Sequence, residues 1–402
     1  MDLRTFIETN QLNPALIDGP ACLSQLLRQM ELGLAGQGNI PMIPAYLPLD
    51  IQPVIGESCC VIDAGGTNLR YARAVFQPDG TCDLQDLQKT AMPGTQGQLT
   101  AQEFYNTLAD YAKSTGSAQR VGFCFSYAVE QERNLDGTLL AWCKEVRVPD
   151  APGKPVGASL QRAIGPECHA VRVLNDSTAA LLGAHSIDPN ITLGLILGTG
   201  INICYEESCA NIPKVPGDLM GNATIISTEI GEFDGFPKTP FDEAVIATSD
   251  EPALAHGEKQ CAGGYLGDVI ALAWQAAARE GLIDSTFAAP VTLPQISDYL
   301  AGSKTTLPED AAAKAIARTM IHRAAKIAAI LTAGPILRSC APGDSCALVI
   351  EGSQFHKLTD FAPHFLEELT AILAPYRISF SIRTVENSCL VGAALAAFAE
   401  PM

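Results

Sequence analysis

Asp176 ends the apolar run AVRVLND (170–176), and the helix-forming stretch STAALLGAH follows at once. A carboxylate at the end of a strand, in a cleft, can take a proton from a hydroxyl group, a task typically worth ~10²–10⁴ in rate. Asp176 or Ser177 can equally act as the cap of the following helix, because both residue types accept N–H bonds there. Two glycine turns have a matching character. Asp63-Ala64-Gly65-Gly66-Thr67-Asn68 and Gly198-Thr199-Gly200 each join one apolar run to another. Glycines let consecutive backbone N–H groups point at an anion, and Asp63 could hold Mg²⁺ through water, since that ion usually keeps several of its waters. Either turn alone also reads as a plain hairpin. Their recurrence in matching strand contexts points to a cleft that grips a polyphosphate from both sides. Neither turn carries GxxxxGK[ST] or GxGxxG, which argues against the P-loop and dinucleotide folds.

Polyols are held by carboxylates and amides that each bind neighbouring hydroxyls. Asn175, Asn202, Glu229 in Ser227-Thr228-Glu229-Ile230-Gly231, and Glu258 ahead of Gly263-Gly264-Tyr265 have the right chemistry. Each alone is more often a surface or capping residue. Lys144, in Trp142-Cys143-Lys144, could place a cation near a transferred phosphoryl group, although a single lysine is usually solvent-exposed.

These residues need a scaffold of alternating strands and helices. Residues 1–50 read as two helical stretches and a proline-rich connector. From Cys59 the pattern is β: CCVIDAGG, then NLRYARAVF. A polar stretch spans 77–100, a helix about 101–113, and a strand 121–129. A third strand covers 170–176. Residues 191–205 repeat the theme of apolar strand, glycine turn, apolar strand. Alanine-rich helices follow at 264–281 and 310–333, then a strand at 348–353 and a helix at 392–398. The two glycine-turn hairpins, centred near 66 and 199, each start an α/β half. This weak duplication predicts two similar domains facing across a ligand cleft.

Composition narrows the partners. Of 402 residues, 47 % are hydrophobic and 17 % charged, enough apolar material for large cores. With 26 Lys+Arg against 44 Asp+Glu, the net charge of -18 disfavours nucleic acid and anionic membranes. No apolar run approaches the ~20 residues of a membrane span, and the first residues lack a signal-peptide pattern. The 13 cysteines are scattered, without paired C-x-x-C spacing, which fits reduced thiols in a cytoplasmic protein rather than zinc ligands.

Taken together these segments resemble the hexokinase family. DAGGTNLR (63–70) looks like its first phosphate motif, and FSYAVEQERNLDGTLLAWCK (125–144) like its sugar-binding stretch. LNDSTAALLGAH (174–185) is similar to its catalytic segment, and LGLILGTGINICYEE (193–207) to its second phosphate motif. STEIGEF (227–233) and GEKQCAGGYLGDVI (257–270) resemble two further sugar-side segments. EGSQF (351–355) resembles the adenosine-side motif, and VGAALAA (391–397) the closing helix.

The resemblance implies an α/β, actin-like (ribonuclease H-like) two-domain sugar kinase fold with a central cleft. The small lobe would comprise 56–175 plus 389–402, and the large lobe 1–55 plus 176–388. The implied activity is transfer of the γ-phosphate of ATP to the 6-hydroxyl of a hexose, glucose first, with mannose or fructose as alternatives. Asp176 would be the base, assisted by Lys144. Ser126, Cys143, Lys144, Asn175, Asn202, Glu229 and Glu258 would hold the sugar. Asp63, Gly65, Gly66, Thr67, Asn68, Arg70, Gly198, Thr199, Gly200, Gly352 and Ser353 would face the nucleotide. Mg²⁺ would have no direct protein ligand, with Asp63 and Asp176 reaching it through water. The expected state is a monomer or homodimer.

Four positions depart from the family's pattern. Cys143 replaces a threonine, Ala128 a proline, Ile230 a tryptophan and Ser227 an asparagine. All lie on the sugar side, so the implied catalysis rests on firmer motifs than the identity of the hexose. The rival readings are a kinase of another sugar, such as N-acetylglucosamine, and an actin-like ATPase or non-catalytic sugar sensor.

Overall fold

A computed structural model describes residues 1–66, 68–142, 146–303 and 305–402. Two sheets organise it. The smaller has the strand order Cys82–Ala91, Asn68–Phe76, Ser58–Ala64, Arg120–Phe125, Ala170–Leu174. Its first two pairings are antiparallel and its last two parallel. The larger runs Ile43–Pro44, Ala223–Ser227, Ile201–Ser208, Ile191–Leu197, Ser345–Glu351, Ser379–Arg383. Leaving aside its two-residue edge strand, the larger sheet repeats the same sequence of two antiparallel and two parallel pairings. The duplication expected from the two glycine turns is therefore a duplication of sheet topology. Ser58–Ala64 pairs with Asn68–Phe76 and Ile191–Leu197 with Ile201–Ser208, each across one of those turns.

The strand expected over 121–129 is broken. Arg120–Phe125 belongs to the smaller sheet, the chain turns at Ser126, and Ala128–Gln131 pairs instead with Gly137–Ala141. Ser126 donates its N–H to Ala64 O at 3.2 Å, which keeps this corner beside the first glycine turn. The strand expected over 170–176 stops at Leu174. Asn175 is the N-cap and Asp176 the first residue of the helix Asp176–Ile187.

Two helices lie between the sheets. Asp176–Ile187 packs on the larger sheet and Ser388–Ala397 on the smaller, and the two pack against each other. Both are apolar on nearly every face, as a helix buried on all sides must be. They cross backbone against backbone at two glycines. A Cβ added at Gly392 would sit 1.9 Å from Ala179 O, and one at Gly183 would sit 2.0 Å from Ser388 O. Only glycine allows this approach.

The largest core lies on the outer face of the larger sheet, around Trp274, Tyr205, Phe233 and the helix Ala311–Ser339. Among the described residues that helix alone is long and apolar enough to cross a membrane, and 83 % of its apolar window is buried in protein. At its centre Arg323 forms an ion pair with Asp242 at 3.0 Å, both side chains almost wholly excluded from solvent.

Candidate active site

The strand-to-helix corner at 174–177 is held locally. Asn175 Oδ1 accepts the Ser177 N–H at 2.9 Å and the Ser177 hydroxyl at 2.7 Å, so Asn175 performs the capping. Asp176 Oδ1 also accepts the Ser177 N–H at 2.9 Å. The carboxylate thus sits in the first turn of a helix, where the unpaired N–H groups favour negative charge. The sequence offered Asp176 or Ser177 as the cap; the residue that caps is Asn175, because its side chain reaches from outside the helix to both Ser177 groups, and Asp176 is the first helical residue.

Asn202, on the neighbouring strand of the larger sheet, draws the polar residues together. Its Nδ2 donates to Glu229 Oε1 at 2.5 Å, to Ser227 Oγ at 2.9 Å and to Asn175 Oδ1 at 3.4 Å. Its Oδ1 accepts the Glu229 N–H at 2.9 Å. Ser227 Oγ donates to Glu229 Oε1 at 3.1 Å, so serine at this position still serves the carboxylate. Glu229 has the left-handed φ of 54°, a conformation uncommon outside glycine and met most often at functional or strained positions. Burial, then the charge of Asp176 and that of Glu258, push its carboxyl up to about 7. Three carboxylates therefore crowd one half-buried site, where a ligand rich in hydroxyl donors would relieve their repulsion.

Glu258 links this cluster to the second glycine turn. Its Oε2 accepts the Ile201 N–H at 3.0 Å, and a Cβ on Gly200 would meet the same oxygen at 2.4 Å. The turn is closed by Gly198 N–H donating to Gly200 O at 3.0 Å. It is braced from behind by the helix Gly263–Arg279, whose first N–H groups donate to Gly198 O at 2.8 Å and Thr199 O at 2.9 Å. Among the described residues nothing accepts the N–H groups of Thr199 and Gly200. Two adjacent, accessible donors of this kind make a nest for an anion. Gly352 closes the wall of the turn with a φ of 119°. A Cβ there would meet Leu197 O at 2.3 Å, so no other residue fits without displacing the turn. Ser353 follows it, exposed, as the first residue of a short helix.

On the smaller sheet, Asp63 Oδ2 accepts Arg70 Nε at 2.9 Å and Arg70 Nη2 at 2.6 Å. Arg70 Nη1 donates onward to Asn387 Oδ1 at 3.2 Å. Gly65 N–H donates to Asn68 O at 3.1 Å, and the Tyr127 hydroxyl donates to Gly65 O at 2.8 Å. Gly66 is half-buried in the same turn. The first turn of the helix Ser388–Ala397 ties both sides together. Ser388 Oγ donates to Glu351 Oε1 at 2.6 Å, and Cys389 Sγ lies 3.7 Å from Asp176 O.

The structure thus brings Asn175, Asp176, Asn202, Glu229 and Glu258 into one cluster. Gly198, Thr199, Gly200, Gly352 and Ser353 form one wall beside it, and Asp63, Gly65, Gly66, Asn68 and Arg70 form another. Ser126 flanks the second wall at Ala64. Thr67, Cys143 and Lys144 lie outside the described residues. Sequence reasoning passed over Ser227 as a ligand-side hydroxyl and over Tyr127, Asn387, Ser388 and Glu351 as supports. Only Ser227 carried a signal, as a departure within a motif. Among the described residues there is no group of three or more His, Cys, Asp or Glu side chains arranged to hold a metal.

Two protein-family models, both described as hexokinase, match residues 20–186 and 192–399. Hexokinase-2 of Candida albicans is 32 % identical over 277 residues, covering 63 % of this chain and 56 % of that protein. Hexokinase-2 of Saccharomyces cerevisiae is 29 % identical over 287 residues, covering 65 % and 59 %. The matched region thus spans little more than half of those relatives' length. A hexokinase from Schistosoma mansoni complexed with glucose superposes with a TM-score of 0.84 at 20 % identity, covering 98 % of both chains. A second solved hexokinase gives 0.74 at 20 % identity over 99 % of both. The two-sheet architecture is the actin-like sugar kinase fold of those structures.

Proposed function

This chain belongs to the hexokinase family, and we propose that it transfers the γ-phosphate of ATP to the 6-hydroxyl of a hexose, glucose above mannose or fructose. The observation that carries this reading is the hydrogen-bonded set Asn175, Asn202, Ser227 and Glu229 beside Asp176, joined through Glu258 to the 198–200 turn. In this reading Asp176 takes the proton of the attacking hydroxyl. Asn175, Asn202, Glu229 and Glu258 hold the other hydroxyls, with Ser126 contributing from the smaller lobe. Lys144 and Cys143 would complete the sugar site.

The nest formed by Thr199 and Gly200, with Gly198 beneath it, fits a terminal phosphate, and Gly352 and Ser353 fit the adenosine side. Gly65, Gly66, Thr67, Asn68 and Arg70 would face the phosphates from the opposite wall. A hydrated Mg²⁺ bound with ATP would neutralise phosphate charge, and in this reading Asp63 and Asp176 would reach it through water. The carboxylate and backbone donor set is the hard-oxygen, water-keeping kind that this ion accepts. The protein's own part is to align hydroxyl and phosphate and to surround developing charge, which supplies most of the catalysis in phosphoryl transfer.

We assign residues 56–175 plus 389–402 to a small lobe and 1–55 plus 176–388 to a large one. The placement of one sheet in each supports the division, as does the packing of Ser388–Ala397 on the smaller sheet. Closure of the lobes on sugar would suppress wasteful ATP hydrolysis by water, a competing acceptor. The twelve cysteines among the described residues are all free thiols, which supports a reducing, cytoplasmic setting.

A panel of glucose, mannose, fructose and N-acetylglucosamine with ATP and Mg²⁺, read by coupled ADP release, tests the proposal. Glucose should give the highest kcat/KM. Turnover of N-acetylglucosamine without glucose would move the chain to the other sugar kinase. ADP release independent of any sugar would point to an ATPase.

The Glu229 carboxyl yields a second expectation. In the free protein its proton is held up to about pH 7, whereas sugar hydroxyls donate best to the ionised form. Sugar binding should therefore release a proton, and affinity should rise with pH until about 7 and then level off. Calorimetric titration in two buffers of different ionisation enthalpy counts that proton. Glu229→Gln should abolish the release, and an unchanged count in that variant would remove Glu229 from the role. The sign for stability is opposite. The raised folded value makes this group stabilising below about pH 4.5, an advantage lost as pH rises through about 7.

A further inference from the structure

Glu229 and Glu258, the two carboxylates assigned to the sugar, come from separate segments. Glu229 caps the short turn Ile230–Glu232, and Glu258 lies in the short helix His256–Cys261. The two segments pack closely. A Cβ added at Gly257 would sit 2.8 Å from Phe233 O, and one at Gly231 would sit 2.9 Å from Glu258 Cβ. The placement of Glu258 therefore depends on what fixes the first residues of its helix.

Ala255, the N-cap of that helix, has a left-handed φ of 53°. Glycine, asparagine and aspartate are the usual occupants of this region, because a missing Cβ or a short polar side chain offsets its strain. Alanine has neither advantage, so the conformation must be imposed by the surroundings. Contacts from three side chains do so. Ala255 N–H donates to Glu232 Oε2 at 2.8 Å. Lys259 is almost fully buried and folds back, its Nζ donating to Glu251 O at 2.5 Å and to Leu254 O at 2.7 Å. Burial pulls that ammonium below its ordinary value, opposed by the carboxylates of Glu232, Glu251 and Glu258. His256 Nδ1 lies 2.8 Å from Asp234 Oδ2, and its Nε2 lies 2.8 Å from Pro252 O. The Glu232 contact starts within the very turn that Glu229 opens, which is closed by Glu232 N–H donating to Glu229 O at 3.1 Å.

Given the sugar-kinase reading of the cluster, on which this depends, we propose that Glu232 is a positioning residue of the sugar site. By holding Ala255 in the left-handed conformation, its carboxylate sets the placement of Glu258 against Glu229. Through Glu258 Oε2, which accepts the Ile201 N–H, the same clasp reaches the second glycine turn. Loosening it weakens the hold on sugar more than the chemical step, since Asp176 stands on a different helix.

Steady-state kinetics with glucose and ATP, and a thermal melt, on Glu232→Ala, Glu232→Gln and the double variant Glu232→Ala/Ala255→Gly test this role. Glu232→Ala should raise the sugar KM at least about tenfold while kcat stays within about threefold of the parent. Glutamine keeps an oxygen that accepts the Ala255 N–H, so Glu232→Gln should restore the sugar KM to within about threefold. Glycine takes the left-handed conformation without strain, so the double variant should recover most of the lost sugar affinity. An unchanged sugar KM in Glu232→Ala overturns the proposal, as does a loss that neither glutamine nor the added glycine reduces. Loss of the folded state in Glu232→Ala that the glycine does not repair overturns it too, since the bond would then be structural. The two assignments fail separately. A parent that turns over none of the sugars removes the kinase reading, whereas sugar turnover equal in parent and Glu232→Ala removes the clasp alone.

Discussion

Asp176→Asn should lower sugar-dependent ADP production by ~10²–10⁴ while leaving sugar affinity within a few-fold of the parent. Asparagine keeps the shape of the side chain and the oxygen that accepts the Ser177 N–H, so the corner should survive. Asn175 remains as the cap in any case, through its own bonds to the Ser177 N–H and hydroxyl. What the substitution removes is a carboxylate able to take a proton. Alanine at the same position would remove that and one N–H acceptor together, a less clean comparison. Steady-state kcat, a sugar titration and a thermal melt on the same preparation separate the contributions. A loss smaller than tenfold with an unchanged melt would exclude Asp176 as the base.

Arg323→Ala should lower stability by about 3–5 kcal/mol, the usual consequence of stripping one partner from a buried ion pair. Arg323 Nη2 reaches Pro237 O at 2.6 Å and Gln260 Oε1 at 3.0 Å as well as Asp242. Asp242 is already committed as the third residue of a capping box with Thr239, accepting its N–H at 2.7 Å and its hydroxyl at 2.8 Å. Without the guanidinium an ionised carboxylate is left in a fully buried position. The urea midpoint reads the loss. Adding Asp242→Asn to the arginine variant should recover part of it by removing the stranded charge. No recovery would mean that lost packing, not the unpaired carboxylate, dominates.

The parts of this molecule that were legible in its sequence are the local ones. An apolar run, a glycine turn and a second apolar run specify a hairpin from neighbouring residues alone, and both predicted hairpins are present. The placing of Asn175-Asp176 between strand and helix was equally local. Cys82–Ala91 went unseen because it is an edge strand with most side chains in solvent, so no apolar alternation marks it. The continuous strand expected over 121–129 failed at Ser126, where the bond to Ala64 O turns the chain. The supports of the site were the least legible. Arg70 with Asn387 and Glu351 with Ser388 meet only after the whole chain has folded, and no spacing announces such a pair.

The helix Ser388–Ala397 has a consequence for biosynthesis. It covers the inner face of a sheet whose five strands all come from residues 58–174. Those strands leave the ribosome well before their cover is made, with five of the six strands of the larger sheet translated in between. During that interval the nascent chain carries an apolar sheet face with nothing upon it, the kind of surface that aggregates or engages chaperones. Pairings so distant in sequence are also slow to find. Ribosomes stalled before residue 388 should therefore carry nascent chains whose early domain is more easily digested by protease than the same residues in the released protein.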